Sequence, residues 1–185
     1  MNSAMLYVAA QSLKGYYGQA DQLEKTVINH ALTAAGAAAL SGALPGAGST
    51  AAAAVSIGAI VTMYVNLGNM LGIRLGKGLL RTLASAVVAD LGGSIAAILL
   101  VSTVLSFIPG IGTVGAAGIM GLTSFCYVYL AGTFYLKMVA KIVKSGKSAE
   151  NMSEEELKKA ILQAAEGVDM KAAVKEAAGA YKKNK

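Results

Sequence analysis

Charge is missing from two long stretches of this chain. No Lys, Arg, Asp or Glu occurs from Thr26 to Ile73, and none from Leu91 to Leu136. A Pro-Gly-x-Gly sequence interrupts each stretch, Pro45-Gly46-Ala47-Gly48 in the first and Pro109-Gly110-Ile111-Gly112 in the second. Proline biases the residue before it away from helical backbone, and the glycines relax the turn that follows. The pattern predicts an all-α fold. Two related apolar helical hairpins, about four long helices, are followed by amphipathic C-terminal helices.

The hairpins share a layout. A shift of 64 residues lays Pro45, Gly46, Gly48, Ala52, Ala53 and Gly68 over Pro109, Gly110, Gly112, Ala116, Ala117 and Gly132. Helices are expected at 3–13, 19–43, 49–72, 79–107 and 113–136, the last continuing through Lys141 and Lys144. The second apolar helix, about 24 residues, would measure about 36 Å, enough for a ~30 Å hydrocarbon core. Beyond Gly146 the composition turns polar. Ser153-Glu154-Glu155-Glu156 forms a capping box ahead of Leu157, Ile161 and Leu162, which predicts a helix at 153–165 and a second at 169–181. Three segments result: an N-terminal amphipathic, cytoplasmic segment (1–25), a double-hairpin membrane domain (26–145) and a charged helical tail (146–185).

Only 14% of the chain is charged, against about 25% in soluble domains, and 55% is hydrophobic, much of it Ala and Gly. Net charge is +6, and the basic residues flank the apolar runs without interleaved aromatics. That arrangement fits lipid headgroups and argues against nucleic acid. Met1–Ala10 lacks the positive start of a signal peptide and is expected to remain on the mature chain. Crossings at roughly 27–44, 49–72, 86–107 and 112–136 would place every Lys and Arg on one side or at its border. The other side would receive only the uncharged turns. Lys and Arg mark cytoplasmic loops, so both termini are expected in the cytoplasm, of a bacterial inner membrane.

No catalytic, cofactor or metal constellation can be assembled. His30 is the only histidine and Cys126 the only cysteine. P-loop, His-Glu-x-x-His and Gly-x-Ser-x-Gly sequences are all absent. The residues singled out are structural. Pro45, Gly46, Gly48, Pro109, Gly110 and Gly112 make the hairpin turns. Gly68, Gly72, Gly118 and Gly121 offer small faces for helix packing, and Asn66 and Asn69 offer hydrogen bonds across helices. Asp90 stands at the edge of an apolar run, where an acid marks either a helix end or a functional charge.

Gly42-Ala43-Leu44-Pro45-Gly46-Ala47-Gly48, the Ala-rich helix after it, the basic link and Phe107-Ile108-Pro109-Gly110-Ile111-Gly112 resemble the YcjF-like, GTPase-associated domain family of unknown function. The resemblance covers about residues 26–142. It implies a membrane-associated domain that works beside a small GTPase; this chain has no GTPase half, and the family supplies no catalytic residues. The leading expectation is a non-enzymatic integral membrane protein, an adaptor or scaffold for a cytoplasmic partner such as a GTPase. It would take no cofactor, lie in the bilayer and form a homo-oligomer. The alternative is a pore-forming or conditionally membrane-inserting oligomer. A transporter subunit coupled through Asp90 is a third reading.

Overall fold

A computed structural model of the chain describes residues 4–42, 48–101 and 111–184. These residues are helical, with no strand among them. In order they form α1 (Met5–Gln11), α2 (Lys14–Tyr17), α3 (Ala20–Gly42), α4 (Gly48–Leu71), α5 (Lys77–Val101), α6 (Ile111–Lys144), α7 (Glu154–Ala165) and α8 (Met170–Asn184). The all-α, paired-helix architecture is the one the charge gaps predict. Pro45, Gly46, Pro109 and Gly110 lie outside the described residues, whereas Gly48 and Gly112 fall in the first turns of α4 and α6.

Local chemistry accounts for the helix ends. Gly18, with φ of 67°, closes α2, a short turn that follows α1 and lies beyond the helix expected at 3–13. Gly72, with φ of 70°, stops α4, and the Ile73 N–H donates to the Gly68 carbonyl at 2.8 Å to satisfy the last turn. Ser153 and Glu156 cap α7 reciprocally: the Glu156 N–H donates to Ser153 Oγ, and the Ser153 N–H donates to the Glu156 carboxylate. Those bonds hold the Glu156 carboxyl below its usual pKa. The cap is therefore complete above the ordinary carboxylate range and is lost as pH falls through the lowered value. The last helix runs on to Asn184, past the end expected near Tyr181, because Tyr181 is buried and anchors that turn.

α6 is the axis of the bundle. It is apolar all round, the pattern of a helix enclosed on every side. Of the apolar 18-residue window within Ala117–Lys144, 78% is buried, against 39% for the window within Ala53–Leu71 of α4 and 41% for that within Lys77–Leu99 of α5. α3 runs antiparallel to it, bringing Val27 to Gly132 and Ala35 to Gly121. α4 runs parallel: Ser56 and Ser124 share a hydrogen bond at 2.8 Å, and Tyr64 donates to the Ala131 carbonyl at 3.2 Å. The Tyr64 and Tyr135 rings stack 4.5 Å apart. α5 is antiparallel, with Tyr127 donating to the Gly92 carbonyl at 3.2 Å. Two ends follow from these directions. α3 and α5 finish, and α4 and α6 begin, at a hairpin end; α1, the α4–α5 link and the C-terminus of α6 form a base.

The polar helices complete the bundle. α1 packs on α3 and α6, while α7 and α8 lie along α5 and α6. Leu6, Leu13, Leu157, Ile161, Val174 and Tyr181 belong to the same hydrophobic cluster as Phe125, Tyr129 and Leu130 of α6.

Candidate functional site

Among the described residues, three helical stretches are long and apolar enough to cross a membrane: Ala53–Leu71, Lys77–Leu99 and Ala117–Lys144, with mean hydropathies of 1.4, 1.7 and 1.4. α3 is not among them: the expected first crossing, at 27–44, runs past Gly42 beyond the described residues, and its part within α3 is rich in Ala and carries Asn29 and His30. His30 is instead joined to Asn66 of α4, with Nε2 and Nδ2 2.9 Å apart.

The apolar helices are not bare. α8 lies against the middle of α6, where the Tyr181 ring meets Phe125 at 5.1 Å. One carboxylate ties this arrangement together. Glu176, half-buried on α8, accepts the Met5 N–H of α1 through both oxygens, at 2.8 and 2.9 Å. It also accepts the Tyr129 hydroxyl of α6 at 2.9 Å. Met5 opens α1, where the first N–H groups of a helix have no partner within it, so the carboxylate fills that need and opposes the helix dipole. Closer to the base, burial and then Asp21 raise the Glu24 carboxyl above its usual pKa, while Lys183 of α8 works the other way. An acid with a raised pKa favours the fold below its ordinary value and loses that contribution as pH rises through the raised one. Glu24→Gln is therefore expected to stabilise the fold slightly at pH 7, by at most about 0.5 kcal/mol because solvent still reaches the group. The gain should vanish below about pH 4, where the glutamate is itself neutral, and thermal melts at the two pH values check it.

Asp90 is exposed on α5. It lines a groove of about 570 Å³ between α5 and α7, shared with Lys158, Lys159, Leu162 and Glu166. Charged side chains of α7 share its groove, as at a helix surface outside lipid. Asp90→Asn is expected to change stability by less than about 0.5 kcal/mol in a denaturant titration. A loss several times larger would mean that the groove depends on this charge.

The glycines divide by role. Gly121 meets the Ala35 carbonyl, 3.0 Å from where its Cβ would stand, and so lets α3 approach α6. Gly68 faces the Ile73 carbonyl within its own turn, and Gly72 supplies the left-handed stop. Gly118 lies in α6 at an intermediate depth. Gly132 makes the closest helix-to-helix approach of the described glycines, with Val27 methyls 2.6 and 2.7 Å from a Cβ placed there. Glu176 and Tyr129 were not among the residues singled out by sequence. The one local signal for Glu176 is its place beside the apolar stripe Ala173, Val174, Ala177 and Tyr181.

Among the described residues, no group of three or more His, Cys, Asp or Glu could hold a metal ion. Compared with protein-family models, curated proteins and solved structures, the chain finds no match. What geometry and composition establish is an all-α bundle with three helices capable of spanning a membrane.

Proposed function

We propose that the protein is a non-catalytic membrane protein that enters the bilayer by the hairpin end of its bundle and keeps its base, clothed by α7 and α8, in water. The level of α8 carries this reading. Its exposed Lys171, Lys175, Lys182 and Lys183 belong to the helix that packs on Phe125 and Tyr129, in the middle of α6. A lysine at the bilayer centre costs about 2.5–3.5 kcal/mol, so that level of the bundle is aqueous. Toward the hairpin end α6 continues from residue 120 back to 111. That is about 15 Å, half of a ~30 Å hydrocarbon core. Leu40 of α3, 75% exposed, belongs to the same end. In this packed form the protein reaches one leaflet deep, and a full crossing requires α8 to leave α6.

Topology supports the reading. α1 and α8 touch through Met5 and Glu176, which favours termini on one side. An even number of crossings, or none, allows that; three do not. Arg74, Lys77 and Arg81 lie at the base, which the positive-inside rule makes cytoplasmic. There the groove beside α7 is open to a cytoplasmic partner, and the family resemblance suggests a GTPase.

Vesicle flotation tests the proposal. The purified chain is expected to rise with phospholipid vesicles and to stay with them through a high-salt wash. Recovery in the aqueous fraction with both neutral and anionic vesicles would refute it.

A further inference from the structure

We infer that α8 is a clasp, closed by Glu176, that holds the bundle at leaflet depth, and that an anionic lipid surface opens it so that α6 can cross. The inference rests on the membrane reading above and adds its regulation.

The carboxylate joins residues that are distant in sequence, Met5 and Glu176 being 171 positions apart and Tyr129 and Glu176 47. It pins the last helix to the first and to the axial one. The rest of the hold on α8 includes the burial of Ala173, Val174, Ala177, Ala178 and Tyr181, the last packed on Phe125. The charged acceptor serving two donors adds charge-assisted hydrogen bonds to that packing.

The outer face of α8 suits a different partner. Lys171, Lys175, Lys182 and Lys183 are exposed along it. A helix with a narrow apolar stripe and a lysine-rich face lies well in the headgroup layer of an anionic membrane. Such a surface competes directly with the closed position, since α8 can place its stripe in the interface and its lysines among the phosphates. Once α8 and the α7 arm before it lift away, α6 offers an uncharged run from Ile111 to Leu136. That run is about 39 Å long, more than a ~30 Å core requires. The groove residue Ser94 of α5, exposed beside α7 in the closed form, then moves toward lipid.

The test uses the full chain with Cys126→Ala and a single environment-sensitive fluorophore, at position 94 or at position 40. Anionic vesicles are titrated in, with neutral vesicles as the reference. For the parent chain, the position-94 probe should turn blue with anionic vesicles and stay wet with neutral ones. Glu176→Ala should reach the same response at about one-tenth of the lipid, the scale of losing a charge-assisted hydrogen bond. Tyr129→Phe, which removes one donor and keeps the ring, should shift the curve about threefold. Circular dichroism and gel filtration first establish that each variant is a folded helical species. If Glu176→Ala fails there, Tyr129→Phe decides alone. Superimposed curves for the parent and a folded variant would overturn the clasp, as would an equal response to neutral and anionic vesicles. Position 40 separates the two ideas: a probe there that stays wet in every chain counts against membrane entry itself, whereas a probe in lipid with unchanged position-94 curves counts against the clasp alone.

Discussion

Gly132→Val is expected to cost about 3 kcal/mol or more and to lower Tm by roughly 6–12 °C in a chain of this size. At Gly132 the helices α3, α4 and α6 meet. A Cβ there would stand 2.6 and 2.7 Å from the two methyls of Val27 and 3.1 Å from the Met63 sulfur. Val27 and Met63 are fully buried. A β-branched side chain in a helix has one strongly preferred rotamer, so Val27 has little room to turn aside, and the helices must part. Even Gly132→Ala should lose stability overall, although alanine favours the helix by about 1 kcal/mol. The cycle with Val27→Ala isolates the cause. Alanine at both positions should recover most of the loss, because the smaller residue at 27 opens the space that the new methyl needs. Thermal melts of the four chains decide it, and an equal loss with and without Val27→Ala would mean that the clash is not the source.

Gly68→Ala should cost about 2–3 kcal/mol for a different reason. Its Cβ would stand 2.6 Å from the Ile73 carbonyl oxygen and 3.5 Å from the Tyr135 hydroxyl. The first neighbour is backbone and has no rotamer to escape into. Relief means breaking the Ile73-to-Gly68 hydrogen bond that ends α4, which loosens the link carrying Arg74 and the entry to α5. Hydrogen exchange should accordingly rise first at Gly72 and Ile73, before the rest of the bundle. Uniform loss of protection without that local signature would contradict the explanation.

Much of the scaffold can be read from the sequence because the signals are local. The Ser153–Glu156 box and the abrupt return of charge after Leu136 are short-range features, and the start of α7 follows the box closely. Other features depend on how helices meet. α4, α5 and α6 are all strongly apolar, so composition does not say which of them is central; contacts on every side make it α6. Glycine spacing marks small faces without telling which one will meet Val27, or that the Gly68–Gly72 pair also ends a helix, a Cβ at Gly68 standing 3.5 Å from the Tyr135 hydroxyl of α6. Alanine-rich α3 looks like a crossing by its lack of charge, and its His30 turns to Asn66 of α4, a pairing that only the fold shows. Asp90 is conspicuous as a lone acid, but Lys158 and Lys159 join its groove only through the folding of α7 onto α5. Glu176 is the extreme case, since its donors come from the first helix and the axial one.

The depth of two positions in vesicles tests the central claim most directly. Fluorophores placed singly at Leu40 and at Lys175 are compared with quenchers fixed at known depths in the bilayer, neutral lipid being used so that the clasp stays closed. The account predicts that position 40 is quenched from within the hydrocarbon of one leaflet, while position 175 remains open to aqueous quencher. Both positions in water, or position 175 at hydrocarbon depth while α8 still protects α6 from hydrogen exchange, would contradict it.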